Sequence, residues 1–148
     1  RCCRLSMDYQ GREDEQTIVC RRTGDAAARF GEAAARAAVG MVRDSRSHPE
    51  VRTGSSVRGA IDLVLVADRL ADLRSVQPWS AEVTLDASLM ALSGRLRLRE
   101  GSARSAEEIV EELWRRHFAS LDAEVGSPDE QVQQRAPAGG DLATPGKA

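Results

Sequence analysis

The apolar positions of this 148-residue chain repeat mainly with the spacing of α-helices. The strongest pattern starts at Gly54-Ser55-Ser56 and extends to about Leu73, and its apolar stripe is so wide that we expect a largely buried helix. The stripe consists of Val57, Ala60, Ile61, Val64, Ala67 and Ala71, widened by Leu63, Leu65, Val66 and Leu70. The pattern predicts a mostly α-helical fold with this helix at the centre of its core.

Two weaker helical patterns precede this central helix. Acidic residues follow Gly11 and favour a helix that runs to about Arg22, because carboxylates stabilise the positive end of a helix. Residues 25–44 are rich in alanine and predict one helix that is broken near Gly31. Residues 45–53 are expected to form a hinge-like stretch, since a proline inside it disfavours helix in the residue before it.

Two further helices are predicted after the central one. Thr84 is expected to cap a helix over residues 85–93, with a glycine directly after its end. Ser105 and Glu108 have the spacing of a capping box, in which each residue binds the backbone N–H of the other. The helix that this box opens is predicted to end near residue 120.

Extended structure and disorder are predicted only for short parts of the chain. Leu5–Tyr9 has the pattern of a short strand. Residues 95–99 alternate strictly between arginine and leucine, which suits an edge strand or an extended connector. From Gly126 onward few large apolar residues occur, so residues 123–148 are expected to be a disordered tail.

The basic residues are unusual, because Lys147 is the only lysine and the other 20 are arginines. A P-loop needs a lysine after a glycine-rich turn, and the sequence around Lys147 does not fit that motif. The same count excludes a Schiff-base lysine in the folded part. The 21 basic and 23 acidic residues are interspersed, so there is no overall field to attract nucleic acid or an anionic membrane.

The numbers and spacing of the cysteines and histidines indicate the cellular compartment and whether a metal site is expected. The three cysteines are an odd number without CxxC spacing, which favours a reducing, cytoplasmic location. No apolar run reaches the roughly 20 residues that span a bilayer. His48 is expected to be a solvated loop residue and His117 to stabilise a helix end, so no metal site is predicted.

Arg58 is the most informative position in the sequence. It lies in the first turn of the central helix, where the macrodipole disfavours a cation by a few tenths to about 1 kcal/mol. A bound anion would reverse this effect, and Gly54, Ser55 and Ser56 allow the backbone to approach such a ligand. The simpler interpretation is an ion pair between Arg58 and either Asp62, one turn further along the helix, or an acid from a neighbouring helix.

Residues 48–63, with the sequence HPEVRTGSSVRGAIDL, resemble the start of the lid helix in MoxR-type AAA+ ATPases. In that family a Gly-[Ala/Ser]-Ser-x-Arg segment carries the sensor-two arginine, and Arg58 matches it. Residues 1–15 resemble the family's segment that closes the ATPase core, and the resemblance extends to about residue 120. It implies three parts: residues 1–24 end the α/β core with its last strand, residues 25–122 form a helical-bundle lid, and residues 123–148 are the tail.

The resemblance also implies a function. The family members are hexameric, chaperone-like ATPases that use ATP and Mg²⁺ and often work with a von Willebrand factor A-domain partner. Arg58, together with Ser56, Ser55 and Gly54, would contact the nucleotide phosphates. Arg1 matches an arginine that reaches the ATP of the neighbouring subunit, where it would stabilise the charge of phosphoryl transfer.

The catalytic segments called Walker A and Walker B do not occur in the 148 residues. We therefore expect a C-terminal piece of such an ATPase or the remnant of a disrupted gene, inactive and without tight ATP binding when alone. The alternative from a different class is a non-catalytic helical interaction module that associates with DNA through Arg95, Arg97, Arg99 and Arg104. The lack of stacking aromatic residues near these arginines makes nucleic acid the less favoured partner.

Overall fold

The computed structural model describes residues 3, 5–119 and 121, and in this part of the chain it has six α-helices and one two-stranded sheet. The helices are α1 (Arg12–Thr23), α2 (Asp25–Phe30), α3 (Glu32–Ser47), α4 (Val57–Arg74), α5 (Ala81–Leu92) and α6 (Ala106–His117), with a 3₁₀ turn at Ser93–Arg95. The strands are β1 (Val51–Thr53) and β2 (Arg97–Leu98). The predicted mostly helical fold is confirmed, whereas Arg1 and the predicted tail at 123–148 lie outside the described residues.

Helix α4 forms the centre of the bundle, as its wide apolar stripe predicted. Ala60, Leu63 and Val64 are fully buried, and the helix packs against α1, α2, α3 and α5. Helix α6 packs on α3 and α5 and closes the remaining side. A helix with neighbours on this many sides needs more than one apolar face, which explains its unusual hydrophobic pattern.

The alanine-rich stretch is broken where the sequence indicated. Helix α2 ends at Phe30, and Gly31 has a φ of +86°, which a side chain would make unfavourable. Helix α3 then runs from Glu32 to Ser47 with a nearly continuous small-residue face inside the core. The turn at Gly31 lets both helices bury their alanines against the bundle.

A short antiparallel sheet determines where α4 begins. Val51 of β1 is opposite Leu98 of β2, and the N–H of Arg99 donates to the carbonyl of Glu50 at 2.9 Å. Of residues 95–99, only Arg97 and Leu98 form the predicted strand, whereas Arg95 lies in the 3₁₀ turn. The sheet holds the chain between α3 and α4, so that α4 begins only four residues after β1 ends.

The predicted strand at Leu5–Tyr9 is not formed. Residues 5–11 have no regular secondary structure, and Leu5, Met7 and Tyr9 are largely exposed. A strand requires a partner for its backbone hydrogen bonds, and the described residues place none beside this segment.

The prediction that Thr84 caps a helix is also wrong. Helix α5 begins at Ala81 after Ser80, so Thr84 lies inside its first turns and is fully buried. The Thr84 hydroxyl donates to the carbonyl of Ser80 at 3.0 Å and accepts a hydrogen bond from the Trp114 indole at 3.0 Å. Threonine hydroxyls can bond a carbonyl within their own helix as well as cap a helix, so the sequence alone does not distinguish the two positions.

Candidate functional site at the start of helix α4

Gly54 opens the turn that leads into α4, and it packs tightly on the end of α3. A Cβ atom at this position would lie 2.6 Å from the backbone nitrogen of Arg46 and 2.6 Å from the carbonyl of Ser45. Backbone atoms of a packed helix cannot move aside as a flexible side chain can. The glycine is therefore needed for the contact between this turn and α3.

Ser55 is held by the same end of α3. Its N–H donates to the Ser45 hydroxyl at 3.0 Å, and its carbonyl accepts from Arg46 Nε at 2.8 Å. Its own hydroxyl donates to the carbonyl of Ser56 at 3.2 Å, and the residue is buried. The polar groups of Ser55 are thus occupied within the protein, and they fix the direction in which α4 starts.

Ser56 is the N-cap residue of α4 and is exposed. Its side chain makes no capping hydrogen bond, and the first turn of the helix contains no acidic residue. The first backbone N–H groups of a helix have no partner within the helix and carry partial positive charge. The carbonyl of Ser56 accepts from the N–H of Gly59 at 2.9 Å, so the donors that the start of α4 presents without a side-chain cap are the N–H groups of Val57 and Arg58.

Arg58 stands beside these donors with 70% of its side chain exposed. Its Nε donates to Asp62 Oδ1 at 3.1 Å, the pair that its helical spacing suggested. Asp62 is also bound by Arg95, which approaches from the 3₁₀ turn after α5. One carboxylate thus faces two guanidinium groups, and the three side chains together carry one excess positive charge.

This sharing makes Arg58 available to another anion. An exposed ion pair at this spacing contributes about 0.3–0.5 kcal/mol, so breaking it costs little. Asp62 would keep Arg95 as its partner if Arg58 moved away. The Arg95 contact was not predicted from the sequence, because the two residues are 33 positions apart and only the fold brings them together.

The predicted phosphate-contacting residues fall into two groups. Ser56 and Arg58 are exposed at the start of α4, whereas Gly54 and Ser55 face α3 and shape the turn. Arg1 lies outside the described residues. The chemistry that this arrangement can offer is anion binding, since it combines an uncapped helix start with a guanidinium group.

The four arginines of the predicted basic cluster do not form one surface. Arg95 pairs with Asp62, and Arg104 binds Glu112 at 2.5 Å and Glu50 at 3.4 Å. The hydrogen bond that Arg104 donates to the Glu112 carboxylate raises the pKa of Arg104 above its usual value. Arg97 and Arg99 are exposed on and beside β2, so only half of the cluster faces solvent without an acidic partner in the described structure.

The two histidines lie at the contact between α3 and α6. His48 is buried, which contradicts the predicted solvated position: its Nδ1 accepts from the N–H of Glu50 at 3.2 Å, and its Nε2 lies 3.7 Å from Glu112. His117 ends α6, as predicted, with Nε2 at 2.8 Å from Asp44 Oδ2. Among the described residues, no group of three or more His, Cys, Asp or Glu side chains is arranged to hold a metal ion.

Comparison with protein-family models, curated proteins and solved structures finds no match to this chain. None of the helices in residues 5–119 combines the length and apolar character needed to cross a membrane. A functional assignment must therefore rest on the residues at the start of α4 and on their surroundings.

Proposed function

We propose that this chain supplies the lid and the sensor-two arginine of a MoxR-type AAA+ ATPase, with Arg58 as the residue that contacts the terminal phosphate of ATP. One observation carries the proposal: Arg58 is exposed beside an uncapped helix start that has no acid in its first turn. A cation there is unfavourable for the helix alone and becomes favourable when an anion is bound. The helical fold and the residues that resemble the family agree with this interpretation.

The residues of this chain would form one side of the phosphate site. Arg58 would leave Asp62 and donate from its planar guanidinium group to phosphate oxygens, where charge-assisted bonds are short and strong. The hydroxyl of Ser56 and the first N–H groups of α4 would add donors. Asp62 would remain paired with Arg95, so that no carboxylate is left without a cation near the nucleotide.

Gly54 and Ser55 would act by shaping the turn. Both are packed against α3, so their part in the site is to fix the first turn of α4. The other side of the site, including the Mg²⁺ ligands and the lysine that binds the phosphates, would come from a core upstream of the lid. ATP would supply the transferable phosphoryl group. Movement of Arg58 towards the terminal phosphate would make the position of the lid depend on whether that phosphate is present.

The other partners follow from the same proposal. A hexamer would bring an arginine from one subunit to the nucleotide of the next, the role proposed for Arg1. A von Willebrand factor A-domain protein would be the working partner of the assembled ATPase. On this proposal the 148 residues alone neither bind ATP tightly nor hydrolyse it, and the assembly works in the cytoplasm.

The test is Arg58→Ala in the complete ATPase that contains this chain. Loss of one charged donor to a developing phosphate charge should reduce kcat by on the order of a hundredfold. Arg69→Ala is the matched control, because Arg69 is another exposed arginine of α4 whose nearest carboxylate, Asp72, is 3.8 Å away. If Arg58→Ala hydrolyses and binds ATP as the wild type does, the assignment is wrong.

A DNA-associated helical module is the second candidate, favoured by the exposed pair Arg97 and Arg99. Two phosphate contacts would give weak binding with a shallow salt dependence, since each neutralised phosphate releases roughly one counterion. Titration of duplex DNA at two salt concentrations tests this candidate. Weak binding that decreases at the higher salt concentration and is lost when Arg97 and Arg99 are both replaced by alanine would favour it over the ATPase lid.

A further inference from the structure

The most deeply buried carboxylate in the described structure is that of Glu15 on α1. Its side chain is 1% exposed and lies between two arginines of α3: Arg43 Nη1 is 2.9 Å from Oε2, and Arg46 Nη1 is 2.8 Å from Oε1. Among the described residues, Glu15 is the only carboxylate that pairs with either arginine. We call Glu15, Arg43 and Arg46 the buried triad.

The buried triad is a costly way to stabilise a bundle. Removing charges from water is expensive, and apolar residues of similar size often serve stability equally well. Here Arg46 Nη2 is buried without a hydrogen-bond partner among the described residues, and Glu15 Oε1 lacks a well-directed hydrogen bond. Charge rather than ideal hydrogen-bond geometry therefore holds Glu15 and Arg46 together, and stability alone does not explain the buried triad.

Arg46 connects the buried triad to the candidate site. Its Nε donates to the carbonyl of Ser55 at 2.8 Å, one residue before the N-cap of α4. The neighbouring Ser45 accepts from the N–H of the same Ser55 at 3.0 Å. Both backbone groups of Ser55 are therefore hydrogen-bonded to α3. The bond to the carbonyl depends on the position of the Arg46 guanidinium group, which Glu15 holds in place.

The triad also holds the N-terminal segment. The Cζ atom of Arg46 lies 3.9 Å from the centroid of the Tyr9 ring, a cation–π distance. Arg43 Nη1 donates to the carbonyl of Gln10 at 3.0 Å. The segment before α1 and the turn before α4 are remote in sequence, yet both contact the guanidinium group of Arg46.

We infer that Glu15 is a positioning residue, which holds Arg46 so that the segment at Tyr9–Gln10 and the turn at Gly54–Ser56 keep one fixed relative position. The purpose of this positioning rests on the proposed function. If the chain is an ATPase lid, the segment at Tyr9–Gln10 leads from the ATPase core, and Arg46 connects it directly to the start of α4, where the phosphate would bind. The contacts themselves are independent of any nucleotide.

The first test uses the 148-residue chain and amide hydrogen exchange. Glu15→Gln keeps the shape of the side chain and removes the charge that holds Arg46. Exchange at the Ser55 amide and in the first turn of α4 should become faster by on the order of tenfold, with α6 unchanged. Glu13→Gln is the matched control, since Glu13 is exposed on the same helix and should leave exchange at the turn unchanged.

A second variant and a second readout separate positioning from a general loss of stability. Arg46→Lys keeps a cation for Glu15 but lacks the Nε donor, so it should accelerate exchange at the turn while α1 stays protected. Tyr9 is the only tyrosine in the chain, and a ¹³C label on its ring reports one signal that should shift in Glu15→Gln. Equal acceleration in α4 and α6, or no acceleration at Ser55, would overturn the inference.

The complete ATPase distinguishes this inference from the proposed function. Both stand if Glu15→Gln raises KM for ATP while Arg58→Ala lowers kcat. If Arg58→Ala lowers kcat and Glu15→Gln leaves both constants and the exchange pattern unchanged, the positioning role fails and the lid assignment survives. If Arg58→Ala has no effect while Glu15→Gln still accelerates exchange at the turn, Glu15 positions the turn, but this positioning does not serve a nucleotide.

Discussion

Individual carboxylates in this protein are shared between several cations. Asp62 binds Arg58 and Arg95, Glu15 lies between two arginines, and Glu112 contacts Arg104, Arg116 and His48. A carboxylate has two oxygens that can each accept more than one hydrogen bond, so one acid can bind more than one guanidinium group. Networks of this kind occur beside isolated pairs such as Arg36–Glu32.

Glu112 gives the residue-scale prediction. The hydrogen bond from Arg104 is the main cause that lowers the pKa of Glu112 below its ordinary value of 4.5. A lowered pKa means that the charged form stabilises the folded state above pH 4.5, and that this contribution disappears as the pH falls through the folded-state pKa. Glu112→Gln should therefore be less stable than the wild type at pH 7, and the difference should shrink below pH 4.5.

Urea unfolding followed by circular dichroism between pH 7 and pH 3 measures this difference. Glu100→Gln serves as the control, because Glu100 is exposed and has no ion pair in the described structure. A difference between wild type and Glu112→Gln that stays constant over the whole range would show that folding does not lower the pKa of Glu112.

The elements of the protein are positioned by close contacts at their ends. The turn at Gly54–Ser56 touches the last residues of α3, and the Gly40 side of α3 lies against the His117 ring at the end of α6. At both places a glycine allows a backbone to approach another group. The glycine before α4 resembles a phosphate-binding glycine in the sequence, but its missing side chain is explained by packing alone.

Gly54→Ala is the element-scale prediction. The added methyl group would meet the backbone of Ser45 and Arg46, and overpacking of this kind costs about 1–3 kcal/mol in the free energy of unfolding. Gly94→Ala is the control, because a Cβ atom there has no neighbour within 4 Å. Thermal unfolding of both variants checks the prediction, and equal melting temperatures would mean that the turn has room to adjust.

At the scale of the whole molecule, the core is built mainly from small side chains. Alanines line much of the interior of α2, α3 and α4, so the helices approach closely. Few large residues fill the remaining volume, and those that are fully buried include Phe30, Met41, Leu63, Leu92, Ile109 and Leu113. Each of these therefore contributes a large share of the apolar burial that opposes chain entropy.

Leu63→Ala tests this view of the core. Leu63 is fully buried in the central helix, and its truncation should lower the free energy of unfolding by about 2–5 kcal/mol. Leu73→Ala changes the same residue type on the same helix at a largely exposed position, and should change it by less than about 0.5 kcal/mol. Denaturant titration of the two variants gives the comparison, and similar losses would show that Leu63 is not a core residue.

The sequence by itself determined the helices, because their signals are local. The apolar period located α4 and its central position, Gly31 located the break before α3, and the Ser105–Glu108 capping box located α6. The i,i+4 spacing also gave the Arg58–Asp62 pair. These features depend on residues within one or two helical turns of each other, so the pattern contains the information needed to predict them.

Only the tertiary structure decided which groups the candidate site leaves free. The attachment of Ser55 to α3, the second cation on Asp62 and the contact of Tyr9 with Arg46 all join residues that are distant in sequence. The segment at Leu5–Tyr9 shows the same limit, since its sequence predicted a strand but no partner strand is present among the described residues. Hydrogen bonds and charge sharing between distant segments depend on packing, which a single sequence pattern does not specify.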